Sequence, residues 1–511
     1  MDIFLSRKLV KYAIAMLNGI WLYMLSPPSL ISTSAWFSYI PLLLLIASSD
    51  KKESFIYGFI YGFVGNILIF SWLVKTISTF SSIPVFLSLL IVMLDAVILA
   101  LPIAIFALLS NIAWKKAGNW WILLVPALFV LLEYISVYIS IFPYQHGMIQ
   151  FGVLPVLQLA SITGIWGVTF LILLVNTYIV SLIKSKLVSP KPVHYFTTLL
   201  IIASLSSVVI YGIDRTQSID ELTQSHPKLT LLQIQDQVPV EDWVNKMKNP
   251  TIGRKLFRYW IDETKNFKEH VDWIVWPESS TAFNIENKFN QNKFSELVKE
   301  KNSFLSLGGV AREKNEDGKP LAFNSVFNFS PSGKYLGRYD KQHLVPFSEY
   351  TPLASTLGFK EIMSSFSPGT KANTFKIKGA TVAFPICYEA IFQSAYKQFK
   401  DADLIANVSN DIWFVNSEGR ELHAMISQIR AIEFGVPIIR TGYTGLSFYV
   451  KPNGRRLFDL PPDKKQSRKI EIEYGRIATV YAQWGDWFVI ICLIIVSWFS
   501  VYAFIKRDKI N

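Results

Sequence analysis

A succession of apolar runs, each close to the length of a bilayer crossing, sets the first limit on this chain. They cover 9–26, 31–49, 55–74, 84–110, 120–141, 157–183, 195–213 and, after a long polar stretch, 485–505. A helix needs about 20 mostly apolar residues to cross the hydrocarbon core, so the pattern predicts about eight spans. The run 31–49 is the most diluted, by Ser32, Thr33, Ser34 and Ser38. The first run is read as a helix and not as a cleavable leader, because it lacks a clear small-residue cleavage site and more spans follow. Composition agrees: 51% of the 511 residues are hydrophobic and 17% are charged, against roughly 25% charged in soluble domains.

The net charge is +12. A basic balance can serve nucleic acid, anionic lipid or cytoplasmic loops, and its distribution separates them. The basic residues cluster beside apolar runs, at Arg7-Lys8-Lys11, Lys115-Lys116, Lys184 to Lys191 and Lys506-Arg507-Lys509. No nucleic-acid partner is expected. With the N-terminus in the cytoplasm, these clusters and Lys51-Lys52 all fall inside. The opposite loops hold Ser26 to Ser29, Lys75 with a Ser/Thr run, and Pro143 to His146. This positive-inside bias predicts both termini in the cytoplasm and the polar stretch outside it. In a bacterium with two membranes, that means the inner membrane and the periplasm.

The expected organisation is a seven-span region over 1–213, a short polar linker over 214–227, a polar domain over 228–480, and a final span with its tail over 481–511. Within the polar domain, strand-like stretches at 229–234, 273–276, 304–307, 381–384 and 404–407 alternate with helical ones at 253–268, 291–300 and 418–434. That alternation predicts a layered α/β domain.

The chain has two cysteines, Cys492 in an apolar run and Cys387 in the polar domain. A disulfide between them is not expected. Cys387 follows a strand-like stretch in Ala383-Phe384-Pro385-Ile386-Cys387-Tyr388-Glu389 and is a nucleophile candidate, since a thiolate is strongly nucleophilic. The competing reading is a buried inert cysteine. Glu278, in Trp276-Pro277-Glu278, stands at another strand end, suited to a fixed general base or to a strand cap. Lys341, in the aromatic stretch Tyr339 to Tyr350, suits an oxyanion partner or a solvated surface lysine. No His/Cys spacing suggests a metal.

Taken together, an acid, a lysine and a cysteine in the order Glu278, Lys341, Cys387 resemble the nitrilase superfamily. Asn407 to Phe414 is similar to that family's loop after the nucleophile strand. His423, Gln428, Arg430, Glu433 and Arg440 are similar to its next segment, with core salt bridges the plainer reading of Arg430 and Glu433. Seven spans before such a domain and one after it resemble the apolipoprotein N-acyltransferase family over essentially the whole chain. Glu133, Pro143, Gly147, Gly164, Gly167, Thr479, Tyr481, Gly485 and Asp486 also fit its pattern. One departure is that 134–142 holds no arginine, where the family usually has one.

The resemblance implies an α-helical transmembrane bundle joined to an αββα nitrilase-like sandwich. It implies an acyl transfer in two steps with no cofactor and no metal. An acyl chain passes from a phospholipid, phosphatidylethanolamine, to Cys387 as a thioester, then to the α-amine of the N-terminal S-diacylglyceryl cysteine of an apolipoprotein. Glu278 is the implied base and Lys341, with the Tyr388 N–H, the oxyanion donor. Glu349, Tyr388 and Glu389 are implied in support. Trp243, Asn410 and Trp413 are implied in substrate binding, and for Trp243 an interfacial anchor is the alternative. A membrane-anchored amidase using the same triad with water as acceptor is the rival, because fold and site fix the acyl-enzyme and not the acceptor.

Overall fold

A computed structural model describes the chain except for residues 1–7, 30, 81–82, 189–192, 246–248, 282, 347, 351–365, 415–416 and 509–511. Arg7, Lys191 and Lys509 of the basic clusters, and Phe347 of the lysine stretch, therefore lie outside the described residues. The chain divides into two compact units, one made of 1–75, 83–216 and 479–511, the other of 76–82 and 217–478.

The first unit is helical. The principal helices of this part of the chain are α1 (Lys8–Leu25), α2 (Lys51–Ile69), α3 (Trp72–Phe80), α4 (Val85–Lys116), α5 (Trp121–Ile139), α6 (Ile165–Val188) and α7 (Val193–Gln224), of which α3 from Thr76 and α7 from Gln217 are counted with the second unit. Asp50 caps α2 by accepting from Glu53 N at 2.8 Å, which satisfies one of the donors that every helix start leaves open. Among the described residues, four helices are long and apolar enough to cross a membrane, namely Val85–Lys116, Gly118–Ile139, Ile165–Lys184 and Tyr195–Gln224. A fifth qualifies if α2 and α3, bent by 52° at the break between them, form one span. About eight spans were expected; by length and composition four or five meet the requirement.

The shortfall has local causes. The run 31–49 breaks into short helices at 35–38 and 40–47, interrupted at Tyr39. The run 157–183 still supplies the span Ile165–Lys184, but it starts late: Gly164, with a φ of +67°, ends one helical turn before α6 begins. A side chain there would also strike Tyr481, whose ring lies 2.5 Å from an added Cβ. The stretch 214–227, expected as a polar linker, is helical as far as Gln224. Inside this unit Glu133 accepts from the backbone N of His146 at 2.5 Å and meets His146 Nδ1 at 2.8 Å. Asp486 accepts from Trp166 Nε1 at 3.1 Å and from the Tyr481 hydroxyl at 2.7 Å.

The second unit holds two six-stranded sheets. The strands of the first are β1 (Lys228–Gln235), β2 (Trp273–Val275), β3 (Phe304–Lys314), β4 (Pro320–Phe329), β5 (Tyr335–Asp340) and β12 (Gln466–Glu473), in the order β12-β1-β2-β3-β4-β5. Those of the second are β6 (Thr374–Ile377), β7 (Ala380–Ala383), β8 (Leu404–Ser409), β9 (Ile438–Gly442), β10 (Ser447–Val450) and β11 (Arg456–Leu460), in the order β11-β10-β9-β8-β7-β6. All five expected strands and all three expected helices are present.

In each sheet three neighbouring central strands are parallel, β1-β2-β3 and β7-β8-β9, and the edges are antiparallel. Parallel strands are buried on both faces and need helical cover. On the first sheet α8 (Pro250–Asn266) and α9 (Lys288–Lys301) supply it, with Leu256, Trp260, Phe294 and Leu297 joining Leu232, Ile234, Ile274 and Leu305 in one apolar core. On the second sheet α10 (Gly419–Phe434) covers β9 and β10. The sheets meet along β1 and β9, where Gln233 Nε2 donates to Arg440 O at 3.0 Å. This is the αββα sandwich. The last helix of the chain, α11 (Trp487–Asp508), belongs to the first unit.

Candidate active site

Parallel strands present their C-terminal ends at one edge of a sheet, where ligands bind in such folds. Glu278 follows β2, Cys387 follows β7 and Lys341 follows β5. All three are buried, at 4%, 7% and 1% exposure, so Lys341 is not the solvated surface group that it might have been.

Lys341 Nζ lies 2.9 Å from Glu349 Oε1 and 3.6 Å from Glu278 Oε1. Asn324, on β4, donates its one Nδ2 to both carboxylates, at 2.7 Å each. Glu349 Oε2 accepts from Val345 N at 2.8 Å, which pins the turn carrying Glu349. Two carboxylates thus share one ammonium and one amide in a buried site. Burial raises the Glu278 pKa; Lys341 opposes this and the Glu349 charge adds to it. Burial alone would lower Lys341, but Glu349 and Glu278 outweigh it and keep the ammonium charged. The Cys387 thiol is pushed up to about 12, first by burial and then by the Glu278 charge, with Lys341 pulling the other way. The resting nucleophile is therefore a thiol beside a carboxyl that has no hydrogen-bond partner on Oε2 among the described residues.

Close packing fixes the carboxyl. Gly308 on β3 passes so near the Glu278 turn that an added Cβ would lie 2.4 Å from Pro277 O and 2.6 Å from Glu278 Cα. Ser280 Oγ donates to Gly308 O at 2.8 Å and closes the same turn. Cys387 has a φ of +49° and Ser279 one of +56°. Left-handed backbone at a residue other than glycine costs about 1–3 kcal/mol and collects at functional sites.

Glu389 is fully buried and ties two loops together. Its Oε2 accepts from Ile386 N at 2.7 Å, its Oε1 from Gln342 N at 2.8 Å and from His343 N at 3.1 Å, and both oxygens meet the Tyr339 hydroxyl at 3.0 Å. The lysine loop and the nucleophile turn are thereby one hydrogen-bonded body. Tyr388 is buried and packs edge-on against Phe392 at 5.1 Å.

Behind Cys387 lies a second polar group. Arg440 Nη2 donates to Asp411 Oδ1 and Oδ2 at 2.6 and 2.7 Å, and Nη1 donates to Asn407 Oδ1 at 2.9 Å. Burial opposes the Asp411 charge, but Arg440 and His423 hold its carboxyl below the ordinary range. His423 Nε2 lies 3.1 Å from Cys387 O. Arg430 pairs with Glu433 and donates to Ala390 O and Ile391 O at 3.1 Å, the salt bridge that its sequence setting suggests.

The three residues implied in substrate binding have different surroundings. Trp243 is buried in the apolar core of the first sheet and packs edge-on against Tyr443 at 4.9 Å. Asn410 is buried; its Oδ1 accepts from Ile412 N at 3.2 Å and its Nδ2 has no partner among the described residues. Trp413 O accepts from Thr76 Oγ1 at 2.6 Å, and its ring lies 4.5 Å from Phe80. Sequence reasoning missed Asn324. Its one signal is an amide in the mostly apolar stretch Leu321 to Phe329, which also holds Ser325 and Asn328, since a buried amide persists only where it is bonded.

Comparison with known proteins gives a consistent result. Residues 18–178 match the family model described as the apolipoprotein N-acyltransferase N-terminal domain. Residues 255–482 match the one described as carbon-nitrogen hydrolase. The apolipoprotein N-acyltransferase of Geobacter metallireducens is 28% identical over 97% of this chain and 96% of its own length. That of Vibrio cholerae is 26% identical over 95% of each, and that of Haemophilus ducreyi 26% identical over 86% of each. Two domain matches and these near full-length relatives agree: the chain is similar to the apolipoprotein N-acyltransferases over nearly its whole length, and its residues 255–482 to the carbon-nitrogen hydrolases.

Proposed function

We propose that this membrane enzyme transfers an acyl chain from phosphatidylethanolamine, through a Cys387 thioester, to the α-amine of the diacylglyceryl cysteine that begins an apolipoprotein. The observation that carries this reading is the meeting of a buried thiol, carboxyl and ammonium, Cys387, Glu278 and Lys341, in one site. In the first step Glu278 takes the thiol proton as sulfur attacks the ester carbonyl. The Lys341 ammonium and the Tyr388 N–H stabilise the oxyanion. Collapse expels the lysophospholipid oxygen, which takes the proton back from Glu278. In the second step the lipoprotein amine attacks the thioester, Glu278 accepts its proton, and the sulfur leaves as the amide forms, taking that proton from Glu278 to restore the thiol. Dividing one transfer into two lowers each barrier. Anchoring in the bilayer raises the effective concentration of lipid-borne substrates.

The reading extends to topology. All eight apolar runs cross the inner membrane, both termini face the cytoplasm, and 228–480 stands in the periplasm. The one-sided lysine and arginine clusters support this. A reporter enzyme active only outside the cytoplasm, fused within 228–480, should be active; an inactive fusion overturns the orientation. For the chemistry, mass spectrometry of the purified protein with phosphatidylethanolamine should find an acyl adduct on Cys387, absent in Cys387→Ala. A Cys387→Ala protein that still N-acylates a diacylated lipopeptide would end the proposal.

A further inference from the structure

The Asp411–Arg440–His423 group takes no part in these proton transfers, yet it converges on the nucleophile. We propose that His423 is a positioning residue: as its Nε2–H tautomer it holds the Cys387 carbonyl and so keeps the nucleophile in its left-handed conformation. The proposal rests on Cys387 being the acyl carrier.

A carbonyl oxygen only accepts hydrogen bonds, so the 3.1 Å contact from His423 Nε2 to Cys387 O requires the proton on Nε2. Burial, and next the Arg440 charge, disfavour the protonated ring, which leaves Nδ1 as an acceptor. Arg440 supplies its donor. Nη2 lies 3.2 Å from Nδ1 while it also spans both Asp411 oxygens. One Nη2 proton serves the carboxylate and the other serves Nδ1. Asp411 itself, with Oδ1 at 3.4 Å from Nδ1, orients the arginine.

The frame reaches the strand before the nucleophile as well. Arg440 Nη1 holds Asn407 Oδ1, and Asn407 Nδ2 donates to Pro385 O at 2.9 Å. Ile386 bridges Val408 on β8. The backbone on either side of Ile386 is thereby clamped from one side. The His423 ring is 5% exposed and packs against Phe414 at 5.4 Å, so it is not free to swing. Asn407 Nδ2 also reaches Cys387 O, at 3.5 Å, the limit of a hydrogen bond, so the His423 contact is the shorter of the two on that carbonyl; without it the Cys387 φ relaxes and sulfur turns away from Glu278 and Lys341. A displacement of about 1 Å costs on the order of 100-fold in rate.

The test uses the full-length protein in phosphatidylethanolamine-containing micelles, with single-turnover acylation of Cys387 followed by intact mass. Glutamine places its Nε2 amide near the imidazole Nε2; asparagine places its amide near Nδ1. His423→Ala and His423→Asn should slow acylation about 100-fold with little change in donor KM, because substrate contacts are untouched. His423→Gln should recover most of the rate. Glutamine and asparagine variants equally slow, or an alanine variant at the wild-type rate, would overturn the proposal. A loss seen in donor KM and not in kcat would do the same. Failure of the wild-type protein to acylate Cys387 would instead overturn the reading of Cys387 as carrier.

Discussion

Two carboxylates and one ammonium leave the buried site with an excess negative charge before the thiol ionises. Glu278 gains basicity from this, because its charged form is penalised by burial and by Glu349 more than Lys341 relieves it. As the base it must be ionised, so kcat/KM for acylation should fall as pH drops through a pKa above the ordinary glutamate value. Asn324 favours the charged form by its hydrogen bond. Asn324→Leu should therefore raise the Glu278 pKa further and move the acid limb to higher pH. A pH–rate profile with an unmoved limb would show that Asn324 does not tune the base. At this scale the triad was legible because each member stands in a distinctive stretch, Trp276-Pro277-Glu278, Tyr339-Asp340-Lys341 and Ile386-Cys387-Tyr388. Asn324 was not, since nothing local separates it from Asn328 on the same strand. Nor was the Cys387 φ, because cysteine is not among the residues that advertise left-handed backbone.

Gly308 shows how an element positions a side chain that it does not touch by chemistry. The parallel pair β2 and β3 can bring the Glu278 turn this close only where the neighbouring strand has no Cβ. Gly308→Ala must push Pro277 and Glu278 outward, and acylation should fall about 100-fold. Gly308→Ala with wild-type single-turnover kinetics would show that the turn yields without moving the carboxyl. Burial alone did not make a strand legible, since β4, β9 and β10 are mostly or fully buried and were not read as strands. β1, β2, β3, β7 and β8 were visible as apolar runs, being central or next to central. β12, with Gln466-Ser467-Arg468-Lys469-Ile470-Glu471-Ile472-Glu473, has one polar face and reads as a charged loop. β9 hides behind Arg440, whose guanidinium is paired in the interior. Among the helices, apolar length was visible, but a break at Tyr39 or Gly164 depends on backbone geometry that hydropathy does not register.

On the scale of the whole molecule, the second unit is closed by its own two ends. Its first strand and its last pair antiparallel along their full length, from Lys228 against Glu473 to Gln235 against Gln466. Leu231 and Ile470 face each other in this pair and both are buried. The chain thus enters and leaves the unit on neighbouring strands, as in domains that tolerate insertion into another fold. The order of synthesis then matters: β1 is made first but stays an open edge until 466–473 arrives, and an unpaired edge invites misassociation. A chain stopped after Gly485 retains all twelve strands and should yield a protease-resistant fragment covering Lys228–Glu473. A chain stopped after Asp463 lacks β12, exposes β1 and should be digested through the first sheet, although every residue of the triad is present. Equal resistance of the two chains to limited proteolysis would mean that β12 only decorates the sandwich, and that its closure is made elsewhere.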